Sequence, residues 1–176
     1  KPVAPKFNEG TATLNGKPYT SGDEISEEGT YQLIVTDGAG NVSTVTFVID
    51  KTPPTVSNVL QNGQYNKDVS VSFNKGTATI NGKPYVSGTN VSEEGTYELV
   101  VTDQAGNVST VNFTIDKTSP VIDGVKNGES YNKDMEVTFN EGTATLNGAP
   151  FESGSKVTEE GQYTINVVDK AGNIST

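Results

Sequence analysis

GTYELVVTDQAGNVSTVNFTIDKT, residues 95–118, spells out two β-strands, a tight turn and a stiff exit. Tyr97, Leu99 and Val101 alternate with Glu98, Val100 and Thr102, the period-2 pattern of a strand that buries one face. Val111, Phe113 and Ile115 resume the alternation beyond Asp103-Gln104-Ala105-Gly106-Asn107. So short a hairpin needs a left-handed backbone position, which Gly106 supplies, and an acceptor for its free amides, which Asp103 supplies. The same block stands at residues 29–52 as GTYQLIVTDGAGNVSTVTFVIDKT and at residues 161–176 as GQYTINVVDKAGNIST. Gly40 and Gly172 take the place of Gly106 in these copies. The chain reads as a tandem array of one small β unit.

Asn8, Asn74 and Asn140 each open the motif N-[EK]-G-T-A-T-[LI]-N-G, a spacing of 66 residues. Length alone would suggest one or two domains of about 100–150 residues, but an internal repeat overrides that expectation. Three units follow: 1–50, 51–116 and 117–176. Aligned on the shared motif, the first lacks the opening segment that residues 51–66 give the second, and the third lacks the end of its last strand. Lys1 is not an initiator methionine, so the chain reads as an excerpt of something longer. Two accounts of the ends stay open. Either the excerpt is out of register with the units, or a strand from a neighbouring identical chain fills the gap, as in a strand-donating filament. Units this small bury only about 60% of their unfolded surface and gain from contact with their neighbours.

In the middle unit, residues 55–60 predict a first strand, Asn62-Gly63 a turn, and Val69, Val71 and Phe73 a second strand. Residues 77–80 and 83–86 flank Asn81-Gly82, whose two residues both tolerate positive φ and so mark a two-residue hairpin. Pro84 suits an edge strand, where the missing amide donor harms no ladder. Residues 91–95 are a polar corner leading back to Tyr97. Six or seven short strands with no helix-period segment predict an all-β fold, an antiparallel β-sandwich.

The chain has no cysteine, histidine or arginine, and its formal net charge is −10. Disulfides and thiolate metal sites are excluded. Nucleic acid and anionic membrane both require clustered positive charge and are not expected as partners. No stretch has the length and apolarity of a transmembrane helix, and none of it reads as a signal peptide. Divalent cations are compatible company for so acidic a surface.

The motifs G-T-Y-x-L-x-V-T-D-x-A-G-N, I-D-K-T-x-P and N-G-x-x-Y-N-K-D resemble the bacterial immunoglobulin-like tandem repeats of Gram-positive cell-surface and secreted proteins. The resemblance covers nearly the whole chain. It implies tandem immunoglobulin-like antiparallel sandwiches in an elongated array, outside the cell. It implies a tyrosine corner at Tyr31, Tyr97 and Tyr163. The cysteine pair and core tryptophan of antibody domains are absent. The implied role is a spacer or stalk, with adhesion or carbohydrate binding as the alternative. The partners implied are neighbouring repeats of the same or an identical chain, with any host or cell-wall ligand engaged through other modules.

The usual nucleophile–base arrangements cannot be built without His and Cys. The pairs Glu27-Glu28, Glu93-Glu94 and Glu159-Glu160 sit in an exposed corner of every unit, not across a shaped cleft as a glycosidase needs. No enzyme activity and no catalytic residue are expected. Calcium is the sharper expectation. End-to-end stacking would gather Glu27, Glu28, Asp50, Asp103 and Asn107 at one junction, and Glu93, Glu94, Asp116, Asp169 and Asn173 at the next. Calcium takes six to eight oxygens at about 2.3–2.6 Å. The competing reading is that the aspartates cap their own turns and the glutamates keep the surface soluble. Three further motifs have simpler readings. Lys67 and Lys133, with Asn74 and Asn140, suit an intramolecular isopeptide link only if the lysines are buried. Tyr19, Tyr85 and Phe151 suit sugar stacking only if exposed. The N-[VI]-S sequons at Asn41, Asn107 and Asn173 are accounted for by the turn itself.

Overall fold

A computed structural model describes residues 2–176. All regular structure among the described residues is β. The first stretch holds β1 (Thr11–Leu14), β2 (Lys17–Tyr19), β3 (Gly29–Thr36) and β4 (Val42–Ile49) in one sheet, ordered β2-β1-β3-β4. A single antiparallel bridge joins Val3 to Ile25.

The middle stretch is the fullest. It comprises β5 (Val56–Ser57), β6 (Gly63–Tyr65), β7 (Val69–Ser70), β8 (Ser72–Phe73), β9 (Thr77–Ile80), β10 (Lys83–Tyr85), β11 (Asn90–Val91), β12 (Gly95–Thr102) and β13 (Val108–Ile115). One layer is the five-stranded sheet β10-β9-β12-β13-β6, and the other is β5 on β8 and β11 on β7. The last stretch repeats the plan with β14 (Ile122–Asp123), β15 (Met135–Phe139), β16 (Thr143–Leu146), β17 (Ala149–Phe151), β18 (Ser155–Val157), β19 (Ile165–Val168) and β20 (Ile174–Ser175). Its sheets are β17-β16-β19-β20 and β14-β15-β18. This is an immunoglobulin-like β-sandwich plan.

The alternation in residues 95–118 is what closes the core. Leu99, Val101, Phe113 and Ile115 are buried, and they meet Val59, Val69, Val71, Ala78 and Tyr85 from the rest of the unit. Tyr97 stacks on Phe113 with ring centroids 5.2 Å apart, and Tyr65 meets Phe113 edge-on. Full burial of a side chain such as Phe113 contributes about 1.5–3 kcal/mol.

Two expectations change. The first strand is not one run over 55–60. It makes β5, antiparallel to β8, then breaks at Asn58 (φ 73°) and Asn62 (φ 60°) and re-forms as β6, parallel to β13. The segment thus serves both sheets, and the turn expected at Asn62-Gly63 is present and leads into the second piece. The second strand is split too, between β7 and β8 at Val71. That residue is fully buried, and its backbone N–H donates to the Tyr85 hydroxyl, which in turn donates to the Val71 carbonyl.

The total accessible surface is 11489 Å². A single globule of 18.5 kDa would expose about 8,200 Å², and three separate units of a third that mass about 11,000 Å² together. The exposed surface therefore matches separate small cores better than one shared core.

Candidate functional site

Each copy of the glutamate corner is built the same way. The Tyr31, Tyr97 and Tyr163 hydroxyls donate to the carbonyls of Glu27, Glu93 and Glu159, four residues upstream, at 3.0, 2.6 and 3.0 Å. The first glutamate of each pair thus contributes its backbone, and its exposed side chain takes no part. In the first two corners the second glutamate clamps the exit of its unit. Glu28 accepts from the Lys51 amide and the Thr52 hydroxyl, and Glu94 from the Lys117 amide and the Thr118 hydroxyl. The Lys51 amide, followed by Thr52, holds the Glu28 carboxyl below the usual range.

The β12–β13 turn is closed by Asp103. Its carboxylate accepts from the amides of Ala105 and Asn107 and from the Asn107 side chain. Gly106 sits at φ 85°, a conformation costly for other residues. Asp37 and Asp169 build their turns alike, over Gly40 and Gly172. A second glycine is fixed by contact. A Cβ on Gly76 would stand 2.3 Å from the Thr102 carbonyl oxygen. That approach brings the motif at 73–82 against the turn and places residue 75 beside Asp103.

These pieces meet where one unit's exit reaches the next unit's turn. At the first junction the Asn107 side-chain amide donates to the Asp50 carbonyl at 3.0 Å, and the Ser109 hydroxyl donates to the Pro54 carbonyl. Lys75 Nζ lies 2.5 Å from Asp50 Oδ2 and 3.0 Å from Asp103 Oδ2. Asp103 is 7% exposed. Burial pushes its pKa up, but the Asn107 and Lys75 donors outweigh burial and bring it down from 3.8 to about 2. Lys75 is raised in return, by Asp50 first and then Asp103.

At the second junction the scaffold is unchanged. Asn173 donates to the Asp116 carbonyl at 2.8 Å, and Ser175 donates to the Pro120 carbonyl. Asn66 adds a bond to the Gly172 carbonyl at 3.1 Å. One residue differs in kind. Glu141 stands where the first junction has Lys75, so Asp116, Glu141 and Asp169 present three carboxylates whose oxygens lie within 4.8 Å of one another. Burial raises the Asp169 pKa, but the Asn173 donors outweigh it and hold the group ionised.

Of the residues singled out for cation binding, Asp50, Asp103 and Asn107 come together at one junction, and Asp116, Asp169 and Asn173 at the other. Glu28 and Glu94 act on the linker backbone, and Glu27 and Glu93 only through their carbonyls. Lys75 and Glu141 were missed. Their signal was in the motif itself, where the repeated N-x-G carries Glu9, Lys75 and Glu141 within otherwise near-identical sequence.

The remaining motifs resolve simply. Lys67 and Lys133 are exposed, while Asn74 and Asn140 accept from the amides of Thr55 and Val121 and pin the first strand. The buried Tyr85 bonds to Val71 across the sandwich, and Tyr19 bonds to the Pro5 and Asp23 carbonyls, so these two have structural roles; Phe151, their equivalent, is half-buried. The Asn107 and Asn173 amides are committed to the junctions.

Residues 54–117, the middle sandwich, match the Bacterial Ig-like domain. The outer cell wall protein of Brevibacillus brevis (strain 47) is 31% identical over 167 residues, covering 72% of this chain and 16% of that protein. The chain therefore spans about a sixth of the length of that curated relative. Among solved structures, the Bacteroides ovatus mixed-linkage glucan utilization locus SGBP-B, in complex with a mixed-linkage heptasaccharide, aligns over 98% of this chain and 59% of that one. The identity is 18% and the TM-score 0.26, too low to carry a structural argument. Residues 54–117 thus belong to the bacterial Ig-like domains, and the flanking stretches repeat their motifs and strand plan.

Proposed function

We propose that this chain is a non-catalytic spacer, a stiff stalk segment of a bacterial cell-surface protein that holds other modules away from their anchor. The observation that carries the reading is the double clamp on each linker. Glu28 grips residues 51–52 from the unit before, while Asn107 and Ser109 grip Asp50 and Pro54 from the unit after. Glu94, Asn173 and Ser175 repeat the arrangement at residues 116–120. Pro53, Pro54 and Pro120 restrict the backbone between the clamps. A linker so short and so bonded resists bending, which is what a spacer requires and a freely jointed tether does not. Kinship with a cell wall protein supports the location outside the cell. The test is residual dipolar couplings on the whole chain. One alignment tensor should fit both sides of Asp50, and the double variant Glu28→Ala, Asn107→Ala should need two. Two tensors in the unaltered chain would overturn the stiff-stalk reading.

One observation favours a second reading, a filament subunit joined by strand donation. The outer edge of β4 pairs with no strand among the described residues, whereas the equivalent β13 pairs with β6. Val45 and Val48 on β4 are 57% and 64% exposed, while their equivalents on β13, Val111 and Thr114, are half-buried. A strand like residues 55–65 from another copy would cover that edge. This reading requires polymers that lengthen with concentration, which sedimentation measures. A chain monomeric throughout would exclude it.

A further inference from the structure

We propose that Asn127-Gly128 is a chemical modification site, where the chain deamidates spontaneously and gains a carboxylate, and that the fold protects the other Asn-Gly pairs. The inference goes beyond the spacer reading and holds whatever the array does.

Asn-Gly dipeptides begin at Asn15, Asn62, Asn81, Asn127 and Asn147. In such a pair the glycine amide nitrogen is open to attack the asparagine Cγ, because no side chain on the glycine shields it. A new N–Cγ bond forms as the amide proton passes through water to the side-chain nitrogen. That nitrogen leaves as ammonia with its bonding electrons, and a cyclic succinimide remains. Water then opens either ring carbonyl to give aspartate or isoaspartate. Two conditions gate the first step. The asparagine side chain must be free to swing back onto its own main chain, and the next amide must be free of other bonds.

Three pairs fail the first condition. Asn15, Asn81 and Asn147 sit at φ of 48°, 47° and 48° in two-residue hairpins. Each side chain is pinned at both ends to the chain opposite. Its Oδ1 accepts from the amide of Gln32, Glu98 or Thr164 at 2.8 Å. Its Nδ2 donates to the carbonyl of Thr30, Thr96 or Gln162 at 3.1 Å. Asn62 fails the second condition, for the Gly63 amide already donates to the Leu60 carbonyl at 2.9 Å and Gly63 then enters β6.

Asn127 meets both. Its pair stands one residue earlier in its unit than Asn62-Gly63 does, so the bond that protects Gly63 is not inherited. Among the described residues, neither the Asn127 side chain nor the Gly128 amide has a hydrogen-bond partner. Both residues are exposed, at the corner of a turn closed by the Glu129 amide donating to the Lys126 carbonyl at 3.2 Å. Gly128 takes a φ of 80°, and a Cβ built there would meet nothing within 4 Å, so the path to its nitrogen is open. The loop survives the change, because the Lys126 amide is held independently by the Tyr131 hydroxyl at 2.8 Å. The product places a new negative charge beside Glu129 in a chain already at −10.

The test ages the whole chain in mildly alkaline buffer, folded and in concentrated urea, and follows acid formation at each site by peptide mass mapping. In the folded protein Asn127 should convert first, about tenfold or more faster than Asn15, Asn81 or Asn147, where two hydrogen bonds must break beforehand. In urea all these sites should react at comparable rates. Asn127→Gln, whose longer side chain cyclises far more slowly, should stay folded by circular dichroism and lose the early product. An isoaspartate-specific carboxyl methylation assay should label the aged unaltered chain well above the variant. Equal rates in the folded protein would overturn the proposal. So would another Asn-Gly pair reacting before Asn127, or a lead for Asn127 that survives in urea.

Discussion

Asp103 shows how one side chain joins a turn to a neighbouring unit. Its carboxylate serves the turn amides, the Asn107 side chain and Lys75 together, and Lys75 carries the contact on to Asp50. Because its folded pKa is about 2, below the ordinary 3.8, the stability it contributes is present above about pH 4 and is lost as pH falls toward 2. Thermal unfolding across this window should show the melting temperature falling with acid. Asp103→Asn should melt lower at neutral pH and show a shallower acid decline. An equally steep decline in the variant would place the titrating group elsewhere. The residue scale is also where sequence reading was weakest. Asp103 as a turn cap was legible from D-x-A-G-N, because its partners lie within four residues. Its bond to Lys75 was not, because the partners are far apart in the chain and only the packing of Gly76 on the Thr102 carbonyl brings them together.

At the scale of elements, the hairpin β12–β13 was the most legible part of the molecule. Alternation over eight residues per strand fixes which face is buried, and a one-residue slip would turn Phe113 and Leu99 outward. The first strand was legible only in part. Its sequence shows apolar residues and turn formers, but a switch from an antiparallel to a parallel partner depends on where the two sheets lie, which no local pattern encodes. The consequence of that strand is measurable. Phe113, covered by Tyr65 and Tyr97, is 1% exposed, whereas its equivalent Phe47 is only half-buried beside the uncovered edge of β4. Phe113→Ala should lower stability by about 3–5 kcal/mol and Phe47→Ala by clearly less, because less packing is lost. Urea unfolding followed by tyrosine fluorescence will separate them. Equal losses would mean that β6 does not complete the core as described.

For the whole molecule, the decisive feature is the combination of small separate cores with bonded joints. The 66-residue period predicts the array, and the family resemblance predicts the sandwich, which the sheets bear out. The motifs place acids at the joints, but only the packing shows that Lys75 bridges the two aspartates at one joint while Glu141 adds a third carboxylate at the other. The surface area already favours separate units, and the clamps on residues 50–54 and 116–120 oppose folding back. Small-angle scattering of the chain in calcium, extrapolated to zero concentration, tests this most directly. The account predicts a monomer with a rod-like pair-distance distribution and a radius of gyration well above the roughly 16 Å of a compact globule of this length. A radius near that value would contradict it.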